Sequence, residues 1–411
     1  MAMKNLTDLV PGLTLAQDIL TPNGRLILPR GTLLTDRHID YLKRWGIARV
    51  NITEKRGIHI EPGEVLGMLT EEIEGFLAPI FARNDLQHPL VSAVYRLGVE
   101  RLRGKAMDGW KPPRKGASLP VSDHRFKDEF FAGDYSLKEL IRHEVQLSSF
   151  PDIYFKISQA INSPLSNADY LARVISSDVS VCAKLLRMVN SPFFGMPSRV
   201  DSVSRAIALV GADELSTLAM GISAISAFKD IPENLVDMKA FWTHSLAVGI
   251  ISRRLGEDMP EVAKEKIFVG GLLHDIGKLI IFKKLPEASK EVIINSQTNL
   301  LPAHQSEQEI LGFDHARAGS LLAGAWSLPD FLRDQIKGHH DTGKMISREA
   351  AIIHLADFLA IGLVFAEKGS IILPALNPSS LKMVKLGPEN LKDVMTDVEQ
   401  EFKEISAIFF G

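Results

Sequence analysis

His274 and Asp275 are adjacent metal-capable side chains within Gly270-Gly-Leu-Leu-His-Asp-Ile-Gly-Lys278, a run otherwise apolar on nearly every face. A lone carboxylate there would be costly to bury, so Asp275 needs a compensating partner. A divalent cation satisfies an imidazole and a carboxylate together. A hydrogen bond between Asp275 and a histidine is the plainer alternative, and the choice turns on what other ligands the chain brings to the doublet.

Seven of the twelve histidines fall between His244 and His354, so imidazoles are concentrated around the doublet. His244 is in register with Phe241, Val248, Ile251 and Leu255, which predicts a helix that turns it toward a core. The spacing predicts a second helix over Ile267 to Phe282 that carries His274 and Asp275, with Gly270 and Gly271 one turn earlier admitting a close neighbour. Asp357 shares a stripe with Ile353, Ile361 and Val364 in a third. Imidazoles and carboxylates converging from facing helices are how helical bundles build metal sites. His244, His274, Asp275 and Asp357 are therefore a candidate set for one ion, with donors suited to Fe, Mn, Mg, Ni or Zn.

His315 follows Asp314, a candidate N-cap for a helix over Ala316 to Trp326, and His339-His340 close a predicted helix over Asp330 to Gly338. A second ion held by His315, His339 or His340, with Asp275 bridging, would complete a two-metal hydrolytic centre. Lys278, one helical turn from the doublet, is placed to meet a substrate phosphate. Asp275 and Lys278 are thus the candidate catalytic residues, and the reaction class is metal-dependent phosphohydrolysis. Each residue also has a structural explanation. His244 can be a satisfied core histidine, His339-His340 a polar helix end favoured by the helix dipole, and Asp357 a partner for His354 on its own helix.

The elements that must position these residues are mostly helical. The exception is Leu13 to Ile52, where Leu13 to Leu20 alternates as a strand, Pro22-Asn-Gly24 marks a turn and Arg25 to Leu28 returns. Thr35 then caps a short helix ending at Arg44, and Ala48 to Thr53 is a further strand. Glu64 to Ala82 is helical, whereas Gly104 to Gly116 mixes Gly, Pro and basic residues without periodicity, as a linker does. From Leu147 onward helical periodicity dominates, with a stop at Asn190-Ser-Pro192 and amphipathic pieces over Ser204 to Val210 and Asp213 to Phe228. Phe193 and Phe194 are apolar anchors suited to packing two subdomains together. Pro388 opens a last helix striped by Leu391, Val394, Met395, Val398, Phe402 and Ile405. Its apolar tail, Ala407 to Phe410, either docks on the body or joins a second copy as a homodimer.

The expected division is a small α/β module at residues 1–60, a helical connector and flexible basic linker at 61–145, a helical domain at 146–367 with lobes at 146–230 and 239–367, and a C-terminal extension at 368–411. The 411 residues, 45% hydrophobic and 24% charged, suit a globular chain of this size. A formal net charge of −3 gives no footprint for wholesale nucleic-acid binding. Arg101, Arg103, Lys105, Lys111, Arg114 and Lys115 with Trp110 read as a solvated linker rather than an anion site. The single Cys182 excludes an intramolecular disulfide. The N-terminus lacks a signal-peptide core, and the longest apolar run, Ala350 to Ala366, is short for a membrane span and carries His354 and Asp357. A cytoplasmic protein without membrane segments is expected.

The order His244, His274-Asp275, Asp357 resembles the HD-domain superfamily of metal-dependent phosphohydrolases. The flanking motifs look like the HDOD family. They are Leu147-Ser-Ser-Phe-Pro-Asp152, Ile175-Ser-Ser-Asp-Val-Ser180, Leu185-Leu-Arg-Met-Val-Asn-Ser-Pro-Phe-Phe-Gly195, Ser204 to Gly211, Glu309 to Gly319, Trp326-Ser-Leu-Pro329 and Ile336-Lys-Gly-His-His340. The resemblance spans Leu147 to Phe365. It implies a mainly α chain with a two-lobed helical HDOD bundle behind the α/β module, in a bacterial signal-transduction protein. Such a protein would act through a signalling protein partner or a phosphorylated small-molecule ligand rather than by turnover. The chain is also similar to the HD-GYP family, which hydrolyses cyclic di-GMP. That family's ligands carry over onto His244, His274, Asp275, His315, His339, His340 and Asp357, with Lys278 as its phosphate-contacting lysine. Its Gly-Tyr-Pro loop does not carry over, since this chain reads Asp341-Thr-Gly-Lys-Met345 there. Val10 to Ile19 and Gly24 to Thr32 look like the module ahead of some HD-GYP domains, which implies a sensory or regulatory role.

Overall fold

The computed structural model describes residues 2–20, 26–44, 46–53, 62–107, 110, 136–147, 152–162, 167–225, 228, 231, 235–341, 347–365 and 371–410. The chain divides into two compact units, one of Met1–Pro79 with Tyr95–Gly116 and one of Ile80–Val94 with Ala117–Gly411. Among the described residues no helix is long and apolar enough to cross a membrane.

The first unit opens with β1 (Ala2–Asn5), β2 (Thr14–Leu15), β3 (Ile19–Leu20), β4 (Leu26–Leu28), α1 (Asp36–Arg44) and β5 (Arg49–Thr53). β1, β5 and β2 form an antiparallel sheet in that order, and β3 pairs with β4. The alternating run Leu13 to Leu20 is therefore two strands in separate sheets rather than one. Asp18 Oδ1 accepts the Arg30 backbone N–H at 2.6 Å and so holds the corner between them. Thr35 caps α1 as its sequence predicts. Its Oγ1 accepts the His38 N–H at 3.3 Å, and its own N–H donates to His38 Nδ1 at 3.1 Å, a reciprocal cap. Leu15, Ile19, Leu28, Leu34, Ile39, Leu42, Val50 and Ile52 make a small apolar core. The turn Pro22-Asn23-Gly24 lies outside the described residues.

Helices α2 (Pro62–Ile80) and α3 (Pro89–Met107) follow. α3 takes in the residues from Gly104 to Met107 that composition assigns to a linker, so Arg101, Arg103 and Lys105 are helical. Arg103 donates through Nη2 and Nε to Thr70 Oγ1 at 2.8 and 3.1 Å and ties the two helices together, while Trp110 meets Phe76 edge-on at 5.8 Å. Lys111, Arg114 and Lys115 lie outside the described residues.

In the second unit α4 (Leu137–Leu147) precedes a helical lobe of α5 (Asp152–Asn162), α6 (Ala168–Ser176), α7 (Val179–Val189), α8 (Val203–Val210) and α9 (Ala212–Ile225). Ser148 to Pro151 of the first motif lie outside the described residues. α9 differs from the amphipathic expectation, for Leu215 to Ala224 are buried on every face. Its hydroxyls tolerate this because Thr217 and Ser223 donate to the carbonyls of Asp213 and Ala219, four residues back, at 2.8 and 2.7 Å. Asn190 fixes the turn after α7 by donating through Nδ2 to the carbonyls of Leu186 and Val200 and accepting the Val200 N–H, all at 2.7 Å.

The second lobe comprises α10 (Met238–Leu255), α11 (Lys264–Leu273), α12 (Ile276–Lys284), α13 (Pro286–Asn299), α14 (Ala303–Leu311), α15 (His315–Ala325), α16 (Asp330–Gly338) and α17 (Arg348–Gly362). Phe193 joins the lobes as its position suggests. Its ring lies 5.3 Å from that of Phe268 on α11, and the Arg253 guanidinium of α10 sits 4.0 Å above it. Two glycines set the helix spacing. A Cβ on Gly271 would stand 2.8 Å from Gly249 Cα, so α10 and α11 touch backbone to backbone. A Cβ on Gly277 would fall 2.0 Å from the His315 carbonyl oxygen, which locks α12 against the start of α15.

The predicted helix over Ile267 to Phe282 is interrupted at the doublet. α11 ends at Leu273, Asp275 takes φ −94° and ψ 6°, and α12 starts at Ile276. Successive side chains on an unbroken helix diverge by about 100°, whereas here His274 Nε2 and Asp275 Oδ2 come within 3.4 Å. α17 stops at Gly362, so Val364 falls beyond the stripe assigned to it, at φ +53°.

A short α18 (Pro378–Val384) leads to α19 (Pro388–Phe410), whose tail docks on the body. Ile405 and Phe409 are buried, Phe402 meets Phe365 at 5.0 Å, and Asp397 pairs with Arg254.

Gly277→Ala is expected to destabilise the protein by about 1–3 kcal/mol, because backbone atoms must shift to admit the methyl. Chemical denaturation of the two proteins measures this directly, and an unchanged midpoint would refute the tight α12–α15 contact.

Candidate metal centre

Three helices and the helix break bring the first group together. His244 hangs from the middle of α10, Asp357 from α17, and His274 from the end of α11. His244 Nε2 lies 3.1 Å from Asp357 Oδ1 and 3.7 Å from Asp275 Oδ2, and His274 Nε2 lies 3.7 Å from Asp357 Oδ1. His274 Nδ1 donates to the Gly271 carbonyl at 2.7 Å, which leaves Nε2 as the lone-pair nitrogen aimed at the carboxylates.

The second group is built around the other oxygen of Asp275. His315 Nε2 is 3.1 Å from Asp275 Oδ1, and His339 Nε2 is 3.9 Å from it. His315 opens α15 behind the N-cap Asp314, whose Oδ1 accepts the Arg317 N–H at 2.8 Å, as the sequence predicts. His339 and His340 follow α16, also as predicted. His340 Nε2 lies 2.9 Å and His339 Nε2 3.3 Å from His315 Nε2. His339 Nδ1 donates to the Ile336 carbonyl and His315 Nδ1 to Glu307 Oε2, both at 2.6 Å. Each ring is thus oriented through Nδ1 while its Nε2 turns inward, the arrangement that outer partners give to metal-binding imidazoles.

Asp275, His315, His339 and His340 form one group that could hold a metal ion, and His244, His274 and Asp357 form another; within each, one donor atom per residue lies within 4.8 Å of the others. The donor chemistry fits a divalent cation. His274 Nε2 is buried without a hydrogen-bond partner, 3.4 Å from Asp275 Oδ2 and 3.7 Å from Asp357 Oδ1, and such a nitrogen held against carboxylates in the interior is costly unless a cation or proton lies between them. Three buried carboxylates, Asp275, Asp357 and Glu307, are gathered among these imidazoles, with the Lys278 ammonium beside Asp275.

The electrostatics follow from that crowding. Burial alone would raise Asp275, but the His274 and His315 imidazoles and the Lys278 ammonium outweigh it and hold the carboxyl well below its usual range. Asp357 is held low against burial by His244 and His274. Burial and neighbouring imidazoles push His339 and His340 well down, keeping them neutral as ligands must be. His315 goes the other way, to about 9, because Glu307 and Asp275 overcome burial and the repulsion of Lys278. Lys278 Nζ donates to Asp275 Oδ2 at 2.6 Å, which raises its own pKa against the cost of burial.

Several neighbours of the site are not evident from motif order. Glu307 and His304 stand behind the second group on α14. Their one signal is sequence proximity to His315, which does not indicate orientation. His354 is not the partner of Asp357. Its Nδ1 donates to the His339 carbonyl at 3.0 Å, and its Nε2 accepts the Asn377 N–H at 3.2 Å, so it braces the His339 backbone. Residues 342–345, where the Gly-Tyr-Pro loop would stand, lie outside the described residues.

Residues 147–342 match the HDOD domain family model. An uncharacterized protein of Treponema pallidum (strain Nichols) is 27% identical over 199 residues, which are 47% of this chain and 38% of that protein. The chain therefore spans well under half the length of this curated relative. The fold is shared with a structure from Shewanella amazonensis SB2B described as a candidate phosphohydrolase, at TM-score 0.52 and 20% identity over 66% of this chain and 98% of that one. It is shared too with a candidate signal transduction protein from Marinobacter aquaeolei VT8, at TM-score 0.51 and 18% identity over 77% and 66% of the two chains.

The raised pKa of His315 would make metal uptake at the second group depend on pH. Because the folded protein keeps this imidazole protonated below about 9, an ion in the second group must displace a proton at neutral pH. Affinity should rise as pH increases toward 9, and proton release on metal addition should be measurable by calorimetry in buffers of different ionisation enthalpy. Uptake independent of pH between 6 and 9 would contradict this.

Proposed function

We propose that the chain is a signal-transduction protein whose HDOD domain holds a two-ion divalent metal centre and acts by binding a signalling partner or phosphorylated ligand. The first ion would be held by His244, His274, Asp275 and Asp357, the second by Asp275, His315, His339 and His340. Iron, manganese, magnesium, nickel and zinc all suit these donors. The observation that carries the binding reading is the state of Lys278. The cation that would meet a substrate phosphate is already paired with Asp275 at 2.6 Å, and six of the seven ligand residues are no more than 5% exposed. Such ions organise the junction of α10, α11, α15, α16 and α17, and a change at the centre alters how these helices pack.

A second reading, a metal-dependent phosphodiesterase acting on a nucleotide or cyclic dinucleotide, is favoured by the completeness of the donor set. Bound divalent ions would polarise a phosphoryl oxygen and supply a nucleophilic hydroxide. For this chemistry Lys278 would exchange Asp275 for the substrate phosphate and stabilise its charge.

The two readings separate on turnover. Protein loaded with Mn or Fe is expected to leave bis(p-nitrophenyl) phosphate and cyclic dinucleotides intact while retaining metal by elemental analysis. Hydrolysis that is abolished in both His274→Ala and Asp275→Ala would overturn the binding reading. Absence of metal in protein purified without chelators and then offered Mn or Fe would remove both.

A further inference from the structure

A helix behind the ligands supplies no donor of its own yet touches two of them. α14 presents His304 and Glu307, one turn apart, to the second group. Glu307 is 4% exposed, and its Oε2 lies 2.6 Å from His315 Nδ1 and 2.7 Å from the His315 backbone nitrogen. His304 stacks on His340 with ring centroids 4.1 Å apart and 21° between the planes. The helix is anchored to α13, where Ser306 Oγ donates to the Val292 carbonyl at 2.7 Å and Asn295 Nδ2 donates to Ser306 Oγ at 3.1 Å and Glu309 Oε2 at 3.0 Å. His274 of the first group, by contrast, is oriented by a carbonyl of its own helix, Gly271 O.

We propose that α14 is the positioning element for the second ion alone, with Glu307 fixing His315 in the tautomer whose Nε2 faces Asp275 and His304 holding the plane of His340. This inference rests on the two-ion reading above. A carboxylate behind a ligating imidazole sets its tautomer and raises its basicity, and losing such a partner typically weakens metal binding by about 10- to 100-fold. Because Asp275 presents Oδ2 to the first group and Oδ1 to the second, the first ion does not depend on α14. Glu307 and His304 are positioning residues, so both ions can be counted without reference to turnover.

The test is titration of the metal-free full chain with Mn(II), followed by calorimetry, elemental stoichiometry and electron paramagnetic resonance. Wild type should take up two ions per chain and show an exchange-coupled pair bridged by Asp275. Glu307→Gln, which keeps the volume but removes the charge, should bind the first ion unchanged and the second about 10- to 100-fold more weakly. Its spectrum should be that of isolated Mn(II), and Glu307→Asp should regain part of the coupling. His304→Ala tests the same claim at a half-buried ring, and it decides the matter if Glu307→Gln does not fold. Either folded variant binding both ions as wild type does, or losing both equally, overturns the proposal. Wild type taking up fewer than two ions instead overturns the two-ion reading, and this inference with it.

Discussion

Asp275 is a buried carboxylate whose two oxygens face two different sets of imidazoles, and much of the second unit is arranged to make that burial tolerable. An ionised group at 3% exposure is stable only if charge and hydrogen-bond donors surround it. His244 and His274 approach one oxygen, His315 and His339 the other, and Lys278 closes the near side. The helix break at His274-Asp275 is part of the same solution, since it lets two successive side chains converge where an unbroken helix would part them.

That convergence puts strict demands on helix spacing. The donors come from α10, the α11–α12 junction, α15, the end of α16 and α17, and their atoms meet only if the backbones lie unusually close. Gly249 and Gly271 allow this between α10 and α11, and Gly277 allows it between α12 and the first residue of α15. The polar network therefore depends on missing side chains as much as on present ones. Phe193 extends the constraint to the other lobe by packing on Phe268 and beneath Arg253, on the same helices that carry His274 and His244. A disturbance at the candidate metal ligands and one at the lobe junction would act on shared elements, which is the physical basis for the binding role proposed above.

The candidate ligand roster was legible in the sequence because helical periodicity is strong there. His244 falls on the stripe of Phe241, Val248 and Ile251, and Asp357 on that of Ile353 and Ile361, so their inward direction follows from spacing alone. Asp314 announced the start of α15 and Thr35 that of α1 by capping chemistry. The break within Ile267 to Phe282 was not legible, because an apolar run with glycines is compatible with a continuous helix and only the packing of α10 and α15 on its two ends divides it. For α9, amphipathic periodicity failed because a second lobe covers the face that would otherwise meet water. Leu13 to Leu20 misled for a related reason. Its alternation is real, but the Asp18 bond to Arg30 redirects the chain between the two halves.

By itself the sequence determined which side chains are available: seven candidate His and Asp ligands in order along the chain, a lysine one turn from the doublet, and helices that turn most of these residues inward. These are properties of local spacing, and local spacing suffices for them. Only the tertiary structure decided that Asp275 divides its oxygens between two groups, that Lys278 is already paired with it, that His354 braces His339 instead of serving Asp357, and that Glu307 and His304 stand behind the second group. Each of these depends on contacts between helices far apart in the chain, and their geometry is set by backbone approach and burial, which periodicity does not encode.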